Sequence, residues 1–185
     1  MIFRIKHSWR LTLLVAIPWA AINAWLGAFE QVGEPGLMEV LAWGAGGALV
    51  ALAINGVLHE ALKRVSGERY RDAFDVYGKD ILDGMHWPAY LSGGFMAAVA
   101  EEPFFRGVLL PAFDQPVVGV AVAALVFAAC HWLRVRHFGF WLWALWEGIL
   151  FGILMVVTGS LWVPMIAHGL HDVIAYRVFA GLIDR

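Results

Sequence analysis

Three stretches of this chain carry groups able to move a proton or hold a charge at helical spacing: AAVAEEPFFRGVLL (97–110), LVFAACHW (125–132) and WVPMIAHGLHDVIAY (162–176). Glu102 and Arg106 stand four residues apart and share a helix face, while Glu101 lies about 100° round the helix from Glu102. Phe127 and His131 place a ring and an imidazole one turn apart, and His168 and Asp172 repeat that spacing. His171 points away from His168, and Glu147 adds one more acid inside an apolar run. Carboxylates beside imidazoles are the groups of general acid–base chemistry, in which a carboxylate takes a proton from water and preset donors receive an oxyanion. Taken singly, each pair also reads as structure: a locking ion pair, an interface histidine, a buried hydrogen bond. Cys130 adjoins His131 but cannot face it on a helix, so a small buried thiol is expected.

The elements that must carry these residues are apolar. Of 185 residues 61% are hydrophobic and only 15% charged, with a mean hydropathy of +0.71, a balance that points to a polytopic membrane protein. A net charge of −2 offers no basic surface for nucleic acid, which excludes that class of partner. Stretches long enough to cross a bilayer occur at 11–29, 38–62, 88–110, 117–133, 138–157 and 161–182. Pro18 and Asn23 in the first, and the lack of a small-residue cleavage site, favour a retained span over a signal peptide.

Arg4, Lys6 and Arg10 precede the first span, Lys63, Arg64, Arg69, Arg71 and Lys79 follow the second, and Arg134 and Arg136 follow the fourth. Arg177 and Arg185 lie near the end, and the alternate loops have neither Lys nor Arg. The positive-inside rule therefore predicts an all-α bundle of six transmembrane helices with both termini cytoplasmic. Residues 1–185 read as a single transmembrane domain, with 63–86 a cytoplasmic connection that has room for a short amphipathic helix. Trp9, Trp87, Trp132 and Trp162 fall near span ends, as an aromatic belt would place them. Gly44, Gly46, Gly47, Gly93, Gly94, Gly148 and Gly152 supply small faces for close packing.

Each central charge costs about 2.5–3.5 kcal/mol to insert, whereas an apolar side chain returns only about 0.3–0.6. Glu101, Glu102 and Arg106 thus force the third span to turn its polar face toward the bundle or a wet cavity. Pro103 beside them predicts a kink or a new helix start. Counting about 1.5 Å per residue, Glu101, Glu102 and His168 reach similar levels in the outer half. Asp172 falls near the middle and His131 closer to the cytoplasmic end.

Taken in order, Glu101-Glu102-x-x-x-Arg106, Phe127-x-x-x-His131 and His168-x-x-x-Asp172 resemble the CPBP family of intramembrane proteases. That family contains the type II CAAX prenyl endopeptidases and many bacterial Abi-like proteins. The likeness covers a core of about 88–180, and Asp172 stands where the prenyl-protein enzymes have Asn. The resemblance implies an intramembrane endopeptidase of glutamic type acting on a membrane-associated protein or peptide, in a bacterial or archaeal cytoplasmic membrane. It implies Glu101 as the base that activates water, His131 as holder of that water, and His168 with Asp172 at the oxyanion. Glu102, Arg106 and Phe127 would support them. No obligatory cofactor is implied; the alternative is a zinc enzyme with Glu101, His131 and His168 as ligands. A non-catalytic immunity or scaffold protein is the rival from another class, and oligomeric state is left open.

Overall fold

The computed structural model describes residues 9–30, 33, 35–77, 85–131 and 138–183, and among these it is all helix with no strand. Helix α1 spans Trp9–Trp25, α2 Leu37–Tyr77, α3 Trp87–Met96, α4 Pro116–His131, α5 Phe138–Thr158 and α6 Trp162–Ile183. Each of the six apolar stretches contains one of these helices or the greater part of it, and the third, 88–110, continues past α3 through non-α turns. Two segments, Leu37–Gly67 and Gly139–Thr158, are long and apolar enough by length and composition to cross a membrane. Helix α2 departs from expectation at its end: it runs past residue 62 into the polar connection and turns at Gly67, whose φ of 52° favours a residue without Cβ. Residues 78–84 of that connection lie outside the described residues, as do Trp132 and the basic residues Arg4, Lys6, Arg134, Arg136 and Arg185.

Pro103 does not break the third helix; it widens it. With no N–H to give and a ring that crowds the preceding turn, proline weakens a regular α-helical ladder. The chain instead continues from α3 through π-helical turns at Ala97–Glu101 and Pro103–Leu109, closing in a 3₁₀ turn at Leu110–Ala112. Single π turns inside helices change which residues share a face, and they concentrate at functional positions. Here they carry Glu101 and Arg106. The carbonyl of Ala100, inside the widened turn, accepts a 2.7 Å hydrogen bond from the side chain of Asn23 on α1, whose residue is fully buried.

Helix α4 packs along α5, α2 along α6, and α3 against α6 and α1. The α3–α6 crossing is a backbone contact: a Cβ on Gly94 would stand 2.5 Å from the carbonyl oxygen of Gly169, and one on Gly169 would stand 2.9 Å from that of Gly94. This crossing brings the turn after α3 against His168, the neighbour of Gly169. Gly148 likewise presses on the backbone of Ala124 and joins α5 to α4. Gly46, read as part of a packing face, meets nothing within 4 Å. It lies on the outside of α2 because the α6 contact falls on Gly44 and Gly47.

The interior is apolar, but the outer surface is apolar too, and polar groups are buried among the core residues. Trp25 is 83% and Val117 81% exposed, and Leu14, Leu37, Met38, Leu49, Val57 and Val157 are also turned outward. Asn23, Asn55, Glu102, Arg106, Glu147, His168 and His171 are buried. Exposed apolar surface on this scale suits hydrocarbon, where no water competes for the interior hydrogen bonds. Trp9, Trp87 and Trp162 each begin a helix, and the latter two are exposed. Cys130 is exposed instead of buried, because α4 turns Phe127 and Ala128 inward and leaves the following residues outside.

Candidate active site

The site assembles around one carboxylate oxygen. Glu102 Oε1 accepts from Arg106 Nη1 at 2.9 Å and from His168 Nδ1 at 2.6 Å, and neither Glu102 nor Arg106 has any exposed surface. Arg106 Nη2 donates to the Gly148 carbonyl on α5 at 2.9 Å, so its planar head joins the π-helical segment to a second helix. The guanidinium sits 5.0 Å from the ring centre of Phe127, 5.6 Å from Phe151 and 5.8 Å from Phe105. Aromatic faces around a desolvated cation add attraction that water would weaken.

His168 is fixed by the same apparatus. Its ring stacks on Phe151 at 4.7 Å and meets the edge of Phe127 at 5.6 Å. With Nδ1 donating to Glu102, Nε2 is the nitrogen turned toward the rest of the site. Asp172 Oδ1 lies 3.6 Å from that nitrogen, beyond a direct hydrogen bond. Glu102 is thus the residue that orients His168, whereas Asp172 accepts from His171 Nδ1 at 3.1 Å and from the Tyr176 hydroxyl at 3.2 Å.

His131 belongs to the same group despite its expected lower level. Phe127 touches His131 at 4.3 Å between ring centres while also touching His168. One ring therefore touches both imidazoles, although a count of residues along straight helices sets His131 at a different level. His131 Nδ1 donates to the Phe127 carbonyl at 2.7 Å, which in a neutral ring leaves the lone pair on Nε2.

Glu101 is the exception among the acids of the site. It is partly buried and, among the described residues, has neither a hydrogen bond nor an ion pair. Its carboxylate nonetheless stands within electrostatic reach of His131, His168, Asp172 and Glu102. Glu101, Glu102, Arg106, Phe127, His131, His168 and Asp172 therefore form one neighbourhood built from the turns after α3, from α4 and from α6. Among the described residues, no three His, Cys, Asp or Glu side chains stand in an arrangement that would hold a metal ion.

Three contributors were not foreseen. Phe151 carries no sequence signal beyond its place four residues after Glu147, and the Gly148 carbonyl carries none. Asn55, the lone amide in the apolar run ALAINGVL, does carry one, since an intramembrane polar residue calls for a partner. It points its amide at Glu147 and stands 3.0 Å from His171 Nε2.

Residues 83–174 match the model of the family described as type II CAAX prenyl endopeptidase Rce1-like. The chain is also 35% identical over 79 residues to the uncharacterized protein YpbD of Bacillus subtilis (strain 168), a stretch covering 43% of this chain and 39% of that one. The chain thus spans about two fifths of the curated relative it matches. No solved structure matches it.

Proposed function

We propose, from the match of residues 83–174 to the Rce1-like family of type II CAAX prenyl endopeptidases, that this chain is a glutamate-based intramembrane endopeptidase. Its substrate is a membrane-associated protein or peptide. The observation that carries the reading is the Glu101 carboxylate, unpaired among the described residues, within electrostatic reach of two imidazoles whose Nδ1 atoms are both tied down.

In this mechanism Glu101 takes a proton from water, and the water oxygen bonds to the scissile carbonyl carbon. His131 Nε2 accepts the other hydrogen of that water and holds it in line. The carbonyl oxygen becomes an oxyanion, which His168 as an imidazolium receives at Nε2 while Glu102 balances the ring at Nδ1. The C–N bond then breaks, and Glu101 returns its proton to the leaving amine. Preset donors in a site shielded from water are worth several kcal/mol to an oxyanion, and Arg106 with the Phe127 and Phe151 rings keeps them preset.

We place the chain as a single transmembrane domain of six spans, in a bacterial or archaeal cytoplasmic membrane with both termini cytoplasmic. The outward apolar surface supports a place in the membrane, and the distribution of Lys and Arg along the sequence supports the orientation. The reaction as written requires no cofactor.

The test is wild type and Glu101→Gln in liposomes, each with and without a zinc chelator, incubated with a membrane-anchored peptide library and read by mass spectrometry. Cleavage that survives chelation and disappears in the variant is the expected result. Cleavage lost on chelation would replace this reading with a zinc-dependent one. A folded wild type that cleaves nothing would replace it with a non-catalytic immunity or scaffold role.

A further inference from the structure

Behind the candidate active site lies a second polar group that the mechanism above does not use. Asn55 on α2, Glu147 on α5 and His171 on α6 are all buried and meet at one point. Asn55 Nδ2 donates to Glu147 Oε1, and His171 Nε2 stands 3.0 Å from Asn55 Nδ2 and 3.3 Å from Glu147 Oε1. Trp146 Nε1 donates to Asn55 Oδ1 at 3.0 Å. That last bond settles which end of the amide is which: the oxygen faces the indole, so the NH₂ faces Glu147 and His171.

We propose that His171, backed by Glu147 and Asn55, is a positioning residue that fixes the Asp172 carboxylate against His168. This rests on the protease reading for its catalytic consequence. His171 Nδ1 donates to Asp172 Oδ1, the same oxygen that stands 3.6 Å from His168 Nε2. Tyr176 holds the other oxygen. The carboxylate therefore has both oxygens engaged and cannot swing without breaking a hydrogen bond.

What separates this group from a mere tie between helices is the pair of partners at His171 Nε2. A neutral ring that donates from Nδ1 has a lone pair at Nε2, which the Asn55 amide satisfies. A cationic ring has a hydrogen there, which the Glu147 carboxylate accepts. The imidazole thus keeps its bond to Asp172 whichever form it takes, without rotating. A tie needs one complementary partner, and here there are two of opposite character. The result is an alternation of carboxylates and imidazoles, Glu102–His168–Asp172–His171–Glu147, running across the bundle from Arg106 to Asn55, hydrogen-bonded or ion-paired at every step with the 3.6 Å His168–Asp172 step the longest.

The experiment uses the full chain in nanodiscs with ¹⁵N-labelled histidine, as wild type, Glu147→Gln, Glu147→Asp, His171→Gln and Trp146→Phe. For a peptide that wild type cleaves, Glu147→Gln and His171→Gln are expected to lose on the order of tenfold to a hundredfold in kcat with KM within about twofold, as misplacement of a reacting group does. Glu147→Asp should recover part of that loss, which a packing defect would not. Trp146→Phe, which removes only the donor that orients Asn55, is the milder variant if either buried substitution fails to fold, and its expected loss is severalfold in kcat. Folded Glu147→Gln and His171→Gln proteins with kcat within about twofold of wild type would overturn the proposal. The ring nitrogens supply a reading independent of cleavage. Glu147→Gln should shift the His171 resonances and, through Asp172, those of His168 Nε2. Unmoved His168 resonances overturn the positioning role, whereas shifted resonances in a protein that cleaves nothing retain the network and discard the protease.

Discussion

Replacing Arg106 with methionine should destabilise the bundle more than replacing Arg106 and Glu102 together. Arg106 is fully buried, donates to Glu102 and to the Gly148 carbonyl at 2.9 Å each, and faces three aromatic rings. Methionine keeps much of the volume but leaves the Glu102 carboxylate with His168 as its remaining partner. Breaking one side of a buried pair costs about 3–5 kcal/mol, because the other charge stays behind without compensation. Glu102→Gln in the same chain removes that charge, while the amide carbonyl oxygen it introduces can still accept from His168 Nδ1. Replacing a whole buried pair by uncharged groups is often close to neutral, so the double variant should regain at least about 2 kcal/mol over Arg106→Met. That difference is roughly a thirtyfold change in the folding equilibrium. Reversible unfolding by SDS titration in mixed micelles, monitored by tryptophan fluorescence, measures all four corners of the cycle. A loss below about 1 kcal/mol for Arg106→Met, or a double variant as unstable as the sum of the singles, would refute the account of Glu102 as a charge held by Arg106.

Two further outcomes follow from the same geometry. Gly94→Ala puts a methyl 2.5 Å from the Gly169 carbonyl oxygen and 2.6 Å from Val173, so it should part α3 from α6, cost about 1–3 kcal/mol and abolish cleavage; Gly46→Ala, facing open space, should leave the SDS midpoint unchanged or slightly raised. Glu101→Gln should leave that midpoint unchanged or raise it while removing activity, since an unpaired carboxylate in a low-dielectric site contributes no bond to lose; a stability lowered by more than about 1 kcal/mol would show that Glu101 has a structural partner instead.

Much of this arrangement was legible in the sequence, and the reason is the solvent. In hydrocarbon an apolar run has to become a helix, because its backbone groups find no water. The apolar stretches and the helices therefore agree closely. The same logic picked out the site, since Glu101, Glu102, Arg106, His131, His168 and Asp172 are conspicuous only against an apolar background. What the sequence could not supply was the third dimension. The i to i+4 rule correctly paired Glu102 with Arg106, but it also suggested His168 with Asp172, whereas the shorter bond of His168 crosses to Glu102, 66 positions away. That crossing depends on Gly94 and Gly169 letting two backbones touch, and glycines in a run such as LSGGFMAAVA show only that some close contact exists.

Pro103 hides the remaining step. A proline in a span announces distortion without saying which kind, and the rule that it kinks or restarts a helix would have turned Glu101 and Arg106 in unknown directions. The chain instead continues through widened turns, and Asn23 on α1 donates to the Ala100 carbonyl within them. The widening has a consequence for Glu101. A wider turn separates the directions of successive side chains differently from an α turn, so adjacent glutamates can take unlike environments: Glu102 is sealed against Arg106 and His168, while Glu101 is left unpaired beside them. Two identical side chains, one residue apart, thereby take unlike places, one bonded and one open for the chemistry proposed above, beside the proline that stands between the acids and the arginine.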